Sequence, residues 1–253
     1  MKYIKSTSMI VTVILLVLIL LWQMAAQFQW INGQLLGSPL GIYKSAVFGF
    51  SEQGTLIEDT WVTLVETVIG LVVGSSLGIL MGLMLWFYPK VSDVAEQFSI
   101  LLNSVPKIAL GPLIIIWFGS GMSSKIWLAG ISTFAVAMIS ACAAAREVDS
   151  DLLNLFKSYK ADSMKIFKKL IIPASIPWIF SIFRINIGFA LIGAVVGEFI
   201  ASQNGLGHSV FVAGSLFDLN TVWLGVIVLT LMAAILTWVV QRIEKKVILW
   251  KVK

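Results

Sequence analysis

DLLNLFKSYKADSMKIFKKLIIPASIP, residues 151–177, is a basic, amphipathic island between two long apolar runs. Its apolar positions, Leu152, Leu155, Phe156, Tyr159, Met164, Phe167 and Leu170, recur at helical spacing, while Lys157, Lys160, Lys165, Lys168 and Lys169 fill the other faces. Pro173 and Pro177 stop that pattern and open the next apolar helix. Periodicity alone leaves two readings of such a connector: it lies on lipid headgroups with its apolar face down, or it docks on a partner.

The chain around this island is apolar throughout. Of 253 residues, 58% are hydrophobic and 12% charged, against about 25% charged in soluble proteins, which marks a polytopic membrane protein. The net charge of +5 does not point to nucleic acid, because the basic residues sit in short connectors and no aromatic-basic surface accompanies them. Cys142 is the only cysteine and lies in an apolar run, so an internal disulfide or thiolate metal cluster is excluded. Met9 to Ala26, preceded by Lys2 and Lys5, is longer than a secretory signal core and reads as an uncleaved first helix with a cytoplasmic N-terminus. Ala25 and Ala26 leave cleavage formally open.

Apolar runs of spanning length fall at about 9–27, 60–87, 97–118, 125–145, 176–200 and 220–241, which predicts six transmembrane helices with both termini on one side. One set of connectors holds Lys2, Lys5, Lys90, Arg146, Lys157, Lys160, Lys165, Lys168, Lys169, Arg242, Lys245, Lys246, Lys251 and Lys253; the other holds only Lys44 and Lys125. The positive-inside rule places the first set in the cytoplasm. Residues 28–56 read as a glycine-punctuated outer loop with a short interfacial helix, and Gly205-Leu206-Gly207 with a solvated His208 as the last outer loop.

Several features bear on mechanism. Gly70, Gly74, Gly78 and Gly82 leave one ridge of the second span without side chains, which predicts close helix packing, either static or as a moving interface. In NSVPKIALGPLIIIWFGSGMSSK, residues 103–125, Pro106 and Gly111-Pro112 break the third span, and broken helices line cavities or pack on protein. Charges in or beside spans are Asp59, Glu66, Lys107, Arg184 and Glu198. Asp59 is expected to be solvated at an outer helix end and Glu66 to face protein. Arg184 with Asn186 either offers a polar point to an anion or Arg184 snorkels to the inner surface. GSGMSSK at residues 119–125 lacks the glycine that a phosphate-binding loop places before its lysine, and no catalytic triad or metal-ligand set is visible.

The island, with its closing Leu170, Ile171, Ile172 and Pro173, resembles the cytoplasmic loop of bacterial ATP-binding-cassette importer permeases. The 103–125 segment, the block IGAVVGEFIASQNGLG at residues 192–207 and the basic tail ending Leu249-Trp250 narrow this, and residues 60–250 resemble permeases of the nitrate, sulfonate, taurine and bicarbonate importer family. The resemblance implies an all-α membrane protein with a six-helix, type I importer permease (MetI-like) bundle. It implies an N-terminal helix and outer loop over 1–56 and a permease core over 57–253, with a coupling loop at about 146–172.

The implied partners are cytoplasmic ATPase subunits, which bind the ATP and Mg that this chain itself does not, an extracytoplasmic substrate-binding protein and a second copy of the chain. The implied cargo is a small anion, or a vitamin or pyrimidine precursor, moved by alternating access. Implied coupling residues are Asn154, Leu155, Phe156, Tyr159, Lys160 and Ala161, with Leu155, Phe156 and Tyr159 expected to anchor in a groove of the ATPase. Pathway candidates are Asn103, Pro106, Lys107, Trp117, Arg184, Asn186 and Glu198. Asn154, Phe156 and Lys160 depart from the acidic residue, alanine and glycine usual in that loop; a lysine in glycine's left-handed conformation costs about 1 kcal/mol. The rival readings are an ion-driven secondary transporter, which Glu66 and Glu198 would serve, and a membrane-embedded enzyme, which lacks its catalytic sets.

Overall fold

In hydrocarbon every backbone polar group must find its partner within the protein, and a mainly apolar chain meets that demand with helices. The computed structural model describes residues 2–30, 36–51 and 54–248. Gly33, Leu249, Trp250, Lys251 and Lys253 lie outside them, as do the side chains of Lys2, Lys5, Asn103 and Lys107. Among the described residues every regular element is helical: α1 (Lys2–Gln27), α2 (Pro39–Gly49), α3 (Leu56–Met84), α4 (Pro89–Ser104), α5 (Gly111–Phe118), α6 (Met122–Arg146), α7 (Ser150–Ser158), α8 (Ser163–Ile166), α9 (Ile172–Ala201), α10 (Leu206–Ser215) and α11 (Leu219–Val247). Leu85–Phe87 and Lys107–Leu110 form 3-10 turns, and Phe167–Ile171 a π turn.

Among the described residues, five helical stretches are long and apolar enough to cross a membrane: Met9–Gln27, Leu56–Phe87, Met122–Arg146, Ser163–Ala201 and Leu219–Val247. The remaining crossing is composite. Val105 precedes a proline, is extended (φ −69, ψ 125) and ends α4; Pro106 (ψ 101) and the 3-10 turn follow, and Pro112 opens the eight-residue α5. The packing requires this return path. Gly70 of α3 faces Ala129 of α6, and Gly82 faces Ala141, so the two helices run parallel and residues 85–121 must carry the chain back along their length.

α9 runs antiparallel to α6, with Asn186 against Thr133 and Gly197 against Lys125. α11 reverses again, pairing Glu244 with Arg184. At its start Trp223 packs edge-on to Trp22 of α1, the ring centroids 5.4 Å apart. The beginning of α1, the end of α11 and the α7–α8 connector therefore share one end of the bundle, called here the inner end.

Two boundaries differ from the sequence reading. Pro173 stands in the first turn of α9, but it follows the preceding turns without a break, so that α8, the π turn and α9 form one 39-residue rod, and Pro177 lies inside α9 instead of opening it. The wider π turn at residues 167–171 precedes Pro173, which has no N–H to place in an α ladder. The last outer connector is not a simple loop but contains α10, whose mixed glycine and serine content hides its helical period.

The α3–α6 contact is made by absent side chains. A Cβ on Gly70 would collide with that of Ala129, on Gly74 with Gly130 O and Thr133 Oγ1, on Gly78 with Phe134 O and on Gly82 with Met138 O. α9 closes the trio: a Cβ on Gly193 would meet the Ala129 backbone, and Asn186 Nδ2 donates to Ser75 Oγ at 2.9 Å and Thr133 O at 3.0 Å. Close backbone approach and hydrogen bonds between helices replace the hydrophobic drive that lipid cannot supply. Gly74→Val and Gly78→Val are each expected to cost about 1–3 kcal/mol by overpacking, read as a lowered unfolding midpoint in detergent. Gly188→Val, whose Cβ would meet nothing within 4 Å, is the control. Equal loss at all three sites would reject the ridge as a packing surface.

Candidate functional site

At the inner end, α7 begins on Asp149, whose side chain accepts from Asp151 N at 2.8 Å. It ends in a glycine-type cap without glycine. Lys160 sits at φ 52, its N–H bonded to Lys157 O at 2.9 Å, while Ala161 N donates to Phe156 O at 3.1 Å. These are the two bonds of a Schellman cap, and lysine occupies its left-handed position. Leu153, Phe156 and Ala161 pack against the bundle's inner core, built from Ile79, Leu83, Ala137, Ala141, Ala145, Ile166, Leu170 and Ile171.

That packing corrects the expectation for Phe156: the side chain turns into this chain's own core. The residues that α7 presents outward are Leu152, Leu155 and Tyr159, spaced i, i+3 and i+7, with Leu155 49% and Tyr159 79% exposed. Asn154, Lys157 and Lys160 are exposed beside them.

The pathway candidates are not brought together. The Asn103 and Lys107 side chains are outside the described set, Pro106 lies in the break between α4 and α5, and Trp117 is 70% exposed on α5. Arg184 points to α11, bonded to Glu244 and to Ser181 Oγ, while Asn186 is fully buried in the α3–α6 seam. The two therefore do not form one polar point.

Glu198 belongs to a network at the opposite, outer end. Gly205 (φ 107) turns the chain so that the first N–H groups of α10 meet buried acids, and a Cβ there would collide with the Glu198 carboxyl. Gly207 N donates to Glu198 Oε2 at 2.6 Å, Leu206 N to Thr63 Oγ1 at 2.9 Å, and Gly205 N to Asp59 Oδ1 at 2.7 Å. Thr63 Oγ1 donates to Glu198 Oε1 at 2.6 Å. Asp59 also accepts from Thr55 and Ser209 and is 4% exposed, so it is a buried cross-link and not a solvated helix-end charge.

Lys125, read from sequence as a connector charge, lies in the first turn of α6 and is 1% exposed. Its ammonium donates to Ser120 O, to Gly121 O at 3.1 Å and to Ala201 O at 2.5 Å, tying α6 to the end of α9. The flanking Gly-Ser-Gly and Ser-Ser read as loop and concealed it. Only its place at the head of the apolar run 125–145 hinted at burial.

With this geometry established, comparison with known proteins gives a consistent result. A probable ABC transporter permease protein of Haemophilus influenzae is 29% identical over 84% of this chain and 86% of its own length. The taurine transport system permease protein TauC of Escherichia coli is 27% identical over 93% and 87%. In three dimensions, a chain of the MetNI methionine ABC transporter, in an inward-facing conformation, superposes with a TM-score of 0.68 over 76% of this chain and 95% of its own, at 18% identity. The model of the binding-protein-dependent transport system inner membrane components matches residues 74–249, from Gly74 of the glycine ridge through α7 to the basic tail, and the chain belongs to that family of ABC importer permeases.

Proposed function

We propose that this permease works as one of two identical membrane subunits, driven by cytoplasmic ATPases that grip α7 and supplied from outside by a substrate-binding protein. The observation that carries the reading is the apolar strip Leu152, Leu155 and Tyr159. It is exposed at the inner end on a helix whose other face is packed into the bundle. A strip fixed in this way transmits force, because the 163–201 rod continues from the connector to the outer network. ATP closure of the ATPase pair would move α7 and rock the bundles between inward and outward access.

The cargo class is a small anion of the taurine, sulfonate, nitrate or bicarbonate kind, supported by the similarity to a taurine permease, or a vitamin or pyrimidine precursor. The lysine and arginine asymmetry supports a cytoplasmic inner end in a bacterial inner membrane.

Cysteine substitutions report the topology. Ser163 is expected to label from the cytoplasmic side and Lys44 and Gln203 from outside, and labelling of Ser163 from outside would reverse the assignment. Tyr159→Ala is expected to cost on the order of 2 kcal/mol of ATPase docking, so transport and substrate-stimulated ATPase fall together while the permease keeps its unfolding midpoint. Phe156→Ala should instead lower that midpoint. Unimpaired coupling in Tyr159→Ala, measured in proteoliposomes, would return α7 to the headgroup reading. Lys160→Gly is expected to stabilise the isolated permease by about 1 kcal/mol, because glycine takes the left-handed cap position without strain; thermal unfolding checks it.

A further inference from the structure

Toward its inner end α11 changes character along a single ridge. Leu231, Ile235 and Trp238 are exposed, and the same helical spacing, carried on, brings Arg242 and then Lys245 onto that ridge. The Arg242 guanidinium lies over the Trp238 ring, 4.8 Å from its centroid. An apolar ridge that ends in a tryptophan and two bases marks the level where the helix leaves hydrocarbon for headgroups. Snorkelling alone does not require a cavity there. One of about 540 Å³ nonetheless opens beside the ridge, lined by Arg184 of α9 and by Gln241, Glu244, Lys245 and Ile248. Lys245 belongs to both ridge and cavity.

The wall has more donors than acceptors. Arg184 carries five N–H bonds and gives one to Glu244 and one to Ser181 Oγ, which leaves three. Neither Lys245 nor the Gln241 amide gives a hydrogen bond to an acceptor among the described residues. Glu244 is the one carboxylate of the lining and already faces Arg184, so two cations stand against one anion. Such a wall suits an anion with several acceptor oxygens. A zwitterionic headgroup would bring its own ammonium against Lys245, and a free anion would leave the adjoining apolar ridge unused.

We propose that this cavity binds the phosphate of an anionic phospholipid from the leaflet at the inner end. Lys245, Gln241 and the remaining N–H groups of Arg184 donate to its oxygens, and its acyl chains lie along Leu231, Ile235 and Trp238. Because Arg184 is shared between Glu244 and the lipid, the headgroup ties α9 to α11. The site stands on the geometry of this chain and does not depend on cargo, ATPase or binding protein.

The full-length protein in detergent micelles, titrated with dioctanoyl phosphatidylglycerol and followed by thermal unfolding, tests this. The expected result is saturable stabilisation that neither dioctanoyl phosphatidylcholine nor sodium glycerol phosphate at equal ionic strength gives. Lys245→Gln should weaken the phosphatidylglycerol response by about tenfold, the loss of one charged hydrogen bond. Lys90→Gln, which removes an exposed charge at the same end but outside the cavity, should leave it unchanged. Equal responses to the two lipids, or equal losses in the two variants, would overturn the site in favour of surface charge alone. A glycerol phosphate response as tight as that to phosphatidylglycerol would overturn the lipid in favour of a soluble phosphate ester. If Lys245→Gln does not fold, Gln241→Glu decides, since a carboxylate at that exposed position of the wall must repel the phosphate. Unchanged affinity in Gln241→Glu would likewise overturn the site.

Discussion

The side-chain-free contact between α3 and α6 is the constraint on which the rest of the bundle depends. Two helices that follow one another in a membrane ordinarily pack antiparallel through a short turn. Here the ridge of Gly70, Gly74, Gly78 and Gly82 holds α3 parallel to α6 and so obliges the intervening chain to make a full return crossing. That crossing is the one built from broken helix, with Val105, Pro106, Gly111 and Pro112 interrupting it. The regular pair carries the packing and leaves its connector free to be irregular. Irregular backbone at membrane depth is tolerated where protein or a cavity surrounds it.

The same pair gives α9 its seat, and α9 links the two ends of the molecule. Asn186 hydrogen-bonds across the α3–α6 seam, Gly193 presses on the Ala129 backbone, and Glu198 reaches the outer network. Toward the inner end the rod continues through the π turn into the connector that carries α7. A π turn inside an otherwise α-helical rod marks a local departure from the regular ladder, and it falls between the basic connector and the apolar span. A movement imposed on α7 thus meets a continuous, packed element, whose local irregularities are the π turn at residues 167–171 and the proline at position 177.

Much of this was legible in the sequence because it follows from period and composition. The spanning helices, the break near Pro106, the glycine ridge and the amphipathic connector all leave their mark within ten to thirty consecutive residues. What was not legible depends on distant partners. Phe156 and Leu155 are adjacent apolar residues on one short helix, and only the position of Ile79, Leu83 and Ala141 decides which of them turns inward. Asp59 looked like a helix-end charge because its donors, Gly205 N and Ser209 Oγ, lie about 150 residues away. Lys125 was hidden by the glycines and serines around it, since its acceptors are backbone carbonyls, which carry no residue signature. Glu244, the partner of Arg184, lies 60 residues further on among the basic residues of the tail, where nothing in the local pattern singles it out.

The outer network restricts how the bundle can open. Asp59 and Thr63 belong to α3, Glu198 to α9, and the N–H groups of Gly205, Leu206 and Gly207 to the start of α10; Lys125 of α6 holds the last carbonyl of α9. Separating any of these elements would leave a buried charge without its partner, a loss of about 3–5 kcal/mol. Moving them together breaks nothing. The outer ends of α3, α6 and α9 are therefore best treated as one rigid body. The displacement that alternating access demands then falls to the contacts of this trio with α5 and α11, or with a second subunit, where the described residues show no comparable mesh of buried charge.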